Sequence, residues 1–569
     1  MAKRPKIKPG NLTPAPPRAQ TGYWVRLEPF LILRANWLLL ACLLLATLRI
    51  VSTYSVFSYT FDEPAHLACG MELLEKHVYQ LEKQHPPLTR VMVALLPWLS
   101  GAHGTGKKGM YDEGIAILSS QGHLEATLAL ARAGNLPFFW IAALTVFACA
   151  RWLDGPATAV VAVFLFTMTP TVLAHAGLAT TDMGFTAMFL LALYQGWRWL
   201  EEGGLPRAVA FGACTGLSVL AKFSTLPFLP SAALLGLFLW CIAIRPKAGQ
   251  AARKLLQRLP QLLLAIAAGS ILIWCGYLFS FGHASSFSFS VPAPEFFDGI
   301  EEVRKHNRTG HLTYLMNHVN TIGWPYFYLV AFGVKTPLQL LALALVGLML
   351  LVVQPARRAR GALLVGLFGG PLVYASFYSQ IMIGTRHLLP LFAFFAITGG
   401  LATVWLMRHN GARRWAQYAL GLLLLSFSAT SFASHPDYLP YFNILAGDRP
   451  EEFLVDSDLD WGQDNKRLAR RLRELQATEV YYNQFAPGDL TKTLGFPPVR
   501  PLDPARPRPG WNAVSFTQLK FGQFADTRYQ YPPEFRFWPQ LRPPNERVGS
   551  SILLFYAPPD PPSQPPASR

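Results

Sequence analysis

Charge is scarce in this chain: of 569 residues only 15% are Asp, Glu, Lys or Arg, against 51% hydrophobic and 13% aromatic. That scarcity excludes a string of soluble domains, in which about a quarter of the residues would be charged. Cysteine is scarce too. Five of the six, Cys42, Cys149, Cys214, Cys241 and Cys275, lie inside apolar runs and only Cys69 lies in a loop, which excludes a disulfide framework and a cysteine zinc site. Acids are outnumbered by bases, 33 to 50. The excess cations sit in short clusters between apolar runs, as the positive-inside rule places them, so no nucleic-acid partner is implied. No internal repeat is visible, and the first apolar run lacks a small-residue cleavage site and reads as an uncleaved span.

What is abundant is apolar sequence in lengths that cross a bilayer, about 20 residues for roughly 30 Å of hydrocarbon. Eleven segments qualify, near 35–55, 133–150, 157–174, 182–200, 207–222, 225–244, 260–282, 324–352, 361–379, 387–406 and 415–433. The expected fold is an α-helical polytopic membrane protein of about eleven spans. Twelve or thirteen stay open because "LTRVMVALLPWLS" (88–100) is short and reads as an interfacial or re-entrant helix. With eleven spans, Lys3, Arg4, Lys6 and Lys8 fall on one side with Arg245, Lys247, Arg253, Arg357, Arg358, Arg360, Arg408, Arg413 and Arg414, and that side is the cytoplasm. The chain then divides into a basic cytoplasmic arm (1–34), a transmembrane domain (35–433), and a small external C-terminal α/β domain (434–556). The domain has large extracytoplasmic loops at 57–132 and 283–323, and a proline-rich tail with nothing to bury follows at 557–569.

Ionisable groups in apolar surroundings are costly and mark candidate sites. Asp62, Asp182, Lys222 and Arg386 all fall at outer ends of spans, and Lys335 in "GVKTPL" falls about a third of the way into one. Together with Glu63 they suggest a single polar, substrate-binding cavity on the outer face; snorkelling of each cation to the interface is the plainer alternative. In "FDEPAH" (61–66) Asp62 precedes Glu63 and Pro64, which also suits a helix cap. His66 follows Asp62 by four residues, near the same helix face, where the two can share a metal or a hydrogen bond. "KQHPPLTR" (83–90) turns the chain and can return His85 toward Asp62. "LATTDMGF" (178–185) carries Asp182 into a span. "DSDLDWGQD" (456–464) has a calcium-loop look but lacks the sixth-position glycine and the closing glutamate, and its tryptophan suits either contact with a glycan or peptide or a packing turn. Asn307-Arg308-Thr309 fits a glycosylation acceptor.

In order and sidedness "FDEPAH", "HPPL", "TTD", "KTPL" and "GTRHLLPL" resemble the C-type membrane glycosyltransferases that use polyprenyl-phosphate sugars, in the branch of the protein O-mannosyltransferases and the bacterial aminoarabinose transferases. The resemblance covers roughly residues 30–435. It implies inverting transfer of a sugar from a polyprenyl-phosphate donor to an extracytoplasmic protein hydroxyl, lipid or glycan, by a multi-pass protein of the bacterial inner membrane. Asp62 would be the general base. Glu63 and Asp182 would orient the site or hold a divalent ion (Mg, Mn or Zn), with His66 as a further ligand. Arg386, Lys222 and His85 would stabilise the departing lipid phosphate. His85 stands where the aminoarabinose branch usually has lysine, and the long luminal insertion of eukaryotic O-mannosyltransferases is missing. The competing reading is a transporter or lipid flippase, which would place charges at mid-membrane in both halves, often with repeat symmetry.

Overall fold

The computed structural model describes residues 23–120, 122–246, 248–354, 357–409, 414–503, 505–528, 538–540 and 542–559. Most of the basic arm and the end of the proline-rich tail therefore lie outside the described residues. Every one of the eleven apolar segments is a helix or a bent pair of helices. Six are long and apolar enough to cross a membrane singly: Leu124–Asp154, Thr225–Ile244, Leu256–Gly276, Arg358–Phe377, Pro390–His409 and Trp415–Ala433. Three bent pairs raise the number among the described residues to at most nine, if each pair is one broken span: Leu27–Leu33 with Ala35–Val51 (79°), Pro156–Thr167 with Pro170–Ala176 (68°), and Phe327–Lys335 with Leu338–Val353 (120°). The two remaining segments fall short for visible reasons. Thr181–Glu202 carries Asp182, Arg198, Glu201 and Glu202, and Leu205–Ala221 has only 17 residues.

The bends differ from the straight spans expected. Pro170 and Pro337 have no N–H to continue a helix and force the residue before them out of helical geometry, and Thr169 and Thr336 are extended. At Pro337 the chain doubles back, so 324–352 is a reversal and not one straight span. The first segment also begins earlier than expected, since part of the stretch assigned to the arm is the helix Tyr23–Leu33.

One end of the bundle gathers the cationic loops. Arg408 pairs with Glu28 (2.7 Å) and Asp154 (3.2 Å), Arg357 with Asp154, and Arg360 with Glu201 (3.2 Å). Helix Thr181–Glu202 runs from there to Asp182 at its other end, roughly 30 Å away at 1.5 Å per residue. At that far end the loop 57–132 folds as the helices Glu63–Lys76, Pro87–Leu99, Met110–Ser119 and Leu124–Ala133. Gly114 lets the third of these touch the first: a side chain there would strike the carbonyl of Pro64. Pro87–Leu99, the short apolar helix whose crossing the sequence leaves open, packs on Glu63–Lys76 and Leu124–Ala133. The loop 283–323 supplies helix Pro294–Thr309 between two hairpins, β1 (Phe281–His283) with β2 (Ser290–Pro292), and β3 (Thr313–Leu315) with β4 (His318–Asn320).

The C-terminal region carries a five-stranded sheet in the order β6-β5-β7-β9-β8, built from β5 (Val480–Asn483), β6 (Val499–Arg500), β7 (Gly510–Ser515), β8 (Glu546–Val548) and β9 (Ile552–Ala557). β5 runs parallel to β6 and β7, while β9 is antiparallel to β7 and β8. Helix Asn465–Glu474 packs beside it, so "TEVYYNQF" and "SSILLFYAPP" form strands and "DNKRLARRLRELQ" a helix, as their patterns suggest. This region shares its core with the rest of the chain. Leu454 and Trp461 are buried with Phe166 and Leu173, and Leu468 and Leu554 with Leu67 and Val93.

Candidate active site

A cavity of about 970 Å³ lies at the far end of the bundle, between the helical loops and the C-terminal region. Its floor is a chain of four charges. Asp62, just before helix Glu63–Lys76, accepts from Arg386 Nη1 at 2.9 Å. The same nitrogen lies 3.6 Å from Asp182 Oδ2, and Lys222 Nζ donates to Asp182 Oδ1 at 2.7 Å. Asp182 is fully buried, whereas Asp62, Lys222 and Arg386 line the cavity. Four groups picked out by their rarity in apolar sequence thus touch in one row. Arg386 also keeps a donor in reserve: its Nε is buried with no partner among the described residues. Burial lowers the proton affinity of the Arg386 guanidinium, but Asp62, Asp182 and Asp456 more than reverse this and hold it cationic.

His85 lines the same cavity, with its ring 5.3 Å from that of His66. The turn before Pro86 and Pro87 is pinned by Arg90, which donates to the carbonyls of Glu82 and His85, to His66 Nδ1 at 3.1 Å, and to the Glu82 carboxylate. Burial, Arg90 and His85 together push the His66 imidazole well below the usual histidine range, so it is neutral and accepts a proton bond from Arg90.

Glu63 does not face the cavity. It is 1% exposed, and both its oxygens are occupied: Oε1 by Arg132 Nε (2.8 Å) and the N–H of Ala179 (2.9 Å), Oε2 by Arg132 Nη2 (2.9 Å) and the N–H of Thr60 (2.8 Å). Burial alone would raise this carboxyl, yet Arg132 and the two backbone donors hold it below the ordinary range. Glu63 ties the Asp62 segment to the loop that carries Asp182, and Asn135 fixes that loop again through the carbonyls of Leu178 and Thr180. Lys335 is also placed away from the cavity. Its ammonium donates to the carbonyls of Leu439 (2.7 Å) and Asp458 (2.6 Å) and covers the Phe442 ring at 4.4 Å, tying the reversal at Pro337 to the C-terminal region.

Among the described residues no three His, Cys, Asp or Glu side chains converge as metal ligands. Glu63 is taken by Arg132, His66 by Arg90, and Asp182 by Lys222 and Arg386, so a divalent ion between the two aspartates would meet two cations. These donors do not fit a divalent metal. Asn307 is occupied as well: its amide bonds the backbone of Tyr378 and Gln380, so that triplet has a packing role.

The motif "DSDLDWGQD", to which the sequence assigns no site role beyond a glycan contact or a packing turn, borders the site. This loop is no calcium site, because its carboxylates diverge. Asp458 accepts from Thr385 Oγ1 (2.6 Å) and N–H (3.1 Å), and Ser457 donates to the Ile383 carbonyl (2.8 Å). Gly384, at φ 149°, is where the two turns press together: a side chain there would meet Ser457 and Asp458. Trp461 lies 4.3 Å beneath the Arg386 guanidinium, and its carbonyl accepts from the N–H of Phe61 at 2.9 Å. One loop thus holds both Arg386 and the segment that carries Asp62. The available signal was a cluster of acids around one tryptophan in a domain otherwise rich in bases.

One remaining wall is polar, with Arg304, His306, Asn307, Arg308 and His311, and the other is apolar. Leu226, Pro227 and Phe228 come from one span, Tyr374 and Ala375 from another, and Phe485 and Phe521 from the C-terminal region.

No family model and no curated protein matches the sequence. Among solved structures, ArnT from Cupriavidus metallidurans bound to undecaprenyl phosphate is similar at 13% identity, over 86% of this chain and 95% of its own, with a TM-score of 0.49. The Archaeoglobus fulgidus oligosaccharyltransferase in complex with Zn and sulfate is similar at 13% identity, over 85% of this chain and 69% of its own, with a TM-score of 0.44. The S. cerevisiae protein O-mannosyltransferase Pmt1-Pmt2 complex bound to the sugar donor matches at 12% identity, over 43% of this chain and 33% of its own, with a TM-score of 0.33.

Proposed function

We propose that this chain is an integral membrane glycosyltransferase that moves a sugar from a polyprenyl-phosphate donor to an acceptor hydroxyl or amine with inversion. The observation that carries the proposal is Arg386 Nη1 shared between Asp62 and Asp182, at the head of a cavity with one apolar wall. The lipid chain lies along that wall and the phosphate meets the free donors of Arg386, with Lys222 beside it.

Asp62 removes the proton of the acceptor as its oxygen or nitrogen attacks the anomeric carbon. The bond from that carbon to the phosphate oxygen breaks, and its electron pair leaves with the phosphate. A single displacement inverts the carbon. With both carboxylates ionised the row of four charges is neutral. Once Asp62 holds the proton, the row carries one positive charge and Arg386 has lost one of its two carboxylates, just as the phosphate gains charge. The base and the phosphate clamp are therefore coupled through one guanidinium. No step is assigned to a metal.

The test is a panel of labelled polyprenyl-phosphate sugars given to the purified protein in liposomes with candidate acceptors. The expected result is release of bare polyprenyl phosphate from one donor, with the sugar recovered on the acceptor at inverted configuration. Retained configuration would contradict the single displacement. Movement of intact donor across the bilayer without cleavage would favour the flippase reading instead.

A further inference from the structure

Of the four aspartates in the loop 456–464, three have their carboxylates taken. Thr385 holds Asp458, the N–H groups of Thr517 and Gly462 hold Asp460, and Ser550, Ser551 and Arg467 hold Asp464. Asp456 differs. Its Oδ1 accepts from the N–H of Ser457 at 2.5 Å, its Oδ2 has no hydrogen-bond partner among the described residues, and the side chain lines the cavity. Its φ of 56° is a left-handed conformation that a residue other than glycine keeps only where its surroundings impose it.

Asp62 and Asp182 lie 2.9 and 3.6 Å from the Arg386 guanidinium, and the turn Asp456–Asp458 packs on the turn Thr385–Leu388 that carries it. If the phosphate meets Arg386 and the nucleophile meets Asp62, the anomeric carbon lies between them, and Asp456, on the wall of the same cavity, is placed to meet the ring that carries this carbon. Phe485 and Phe521, from the same C-terminal region, line the cavity with it. A carboxyl set among aromatic rings suits a polyhydroxylated ring, offering an acceptor to a hydroxyl and flat apolar faces to the C–H groups.

We propose that Asp456 is the sugar-recognition residue of this site, its free carboxyl oxygen hydrogen-bonding a hydroxyl of the sugar on the lipid-phosphate donor. The assignment rests on the transfer reading above and adds that the C-terminal region, not the spans, selects the sugar.

The experiment measures binding of polyprenyl phosphates bearing mannose, glucose or aminoarabinose, and of the same lipid phosphate without sugar, to the full chain in nanodiscs. Asp456→Asn keeps both the left-handed φ and the acceptor for Ser457, and Asp456→Gly removes the side chain without straining the turn. The wild type is expected to prefer one sugar-bearing lipid over the bare one. Both variants are expected to lose roughly tenfold or more of that preference, with bare-lipid affinity kept within about twofold. Variants that keep the preference overturn the sugar assignment and leave the transfer reading standing. Equal loss for bare and sugar-bearing lipid also overturns it, because Asp456 would then be structural. A wild-type chain that binds no polyprenyl phosphate in any form overturns the transfer reading and the sugar assignment with it.

Discussion

Arg386 serves two carboxylates with one nitrogen, and that geometry needs a planar guanidinium with several fixed donors. Arg386→Lys keeps the charge but offers a single point, so transfer is expected to fall by roughly 10² to 10³ in kcat with the fold intact; steady-state kinetics and a melting curve check both parts. Asp456 gives a second prediction at this scale. Burial pushes its carboxyl from the ordinary 3.8 up to about 7, and that of Asp460 up to about 6, against the opposing pull of Arg386 on Asp456 and of the Thr517 donors on Asp460. The folded chain therefore keeps protons that the unfolded chain has lost. The stability these groups contribute is complete below about pH 4 and is lost as pH rises through 7. Asp456→Asn cannot ionise, so its melting temperature relative to wild type should climb between pH 5 and pH 8. A constant difference across that range would contradict the buried placement of Asp456.

Burying a charge without a reason is costly, and the residues that this cost singles out in apolar sequence include Asp62, Asp182, Lys222 and Arg386, which the fold brings into one row. The same signal marked Glu63 and Lys335, whose contacts are with other loops: one clamps two loops, and the other ties the reversal at Pro337 to the C-terminal region. Cost identifies a buried charge but not its task. Asp456 and Trp461 lie about 70 residues farther along the chain than Arg386, in a different region, and sequence spacing does not reveal that Trp461 stacks on that guanidinium.

At the scale of elements, helix boundaries followed from apolar length and proline, but bends did not, since their angles depend on what packs in the elbow. The elbow at Pro337 is bridged by Asn443, whose amide donates to the carbonyls of Gly333 and Thr336. The loops that carry Asp62 and Asp182 depend on Glu63 in the same way. Glu63→Gln leaves Arg132 buried with a weaker partner and should destabilise the fold by about 3 kcal/mol or more, while Glu63→Gln with Arg132→Met should recover much of that loss; thermal unfolding of both variants checks it. Gly384→Ala is the milder perturbation. An added methyl meets Ser457 and Asp458, so Arg386 should shift, with transfer falling more than tenfold for a small change in melting temperature.

For the whole molecule, the cationic loops collect at one end and the row of four charges at the other. The α/β pattern read from the C-terminal sequence is present as a small sheet domain, and it packs against the spans. Its hydrophobic residues alternate as in any small α/β domain, and periodicity does not reveal that Trp461 and Leu454 bury themselves beside the spans. A chain ending at residue 434 should therefore lose transfer altogether, even where it inserts into a membrane.

Single-turnover transfer by Asp62→Asn, measured with the donor that the wild type consumes and alongside binding of that donor, tests the coupled base and phosphate clamp most directly. Asp62→Asn should bind the donor with affinity near wild type, since Arg386 and Lys222 remain, and should transfer sugar at least 10² slower. Full-rate transfer by a folded Asp62→Asn chain would contradict the assignment of Asp62 as the base.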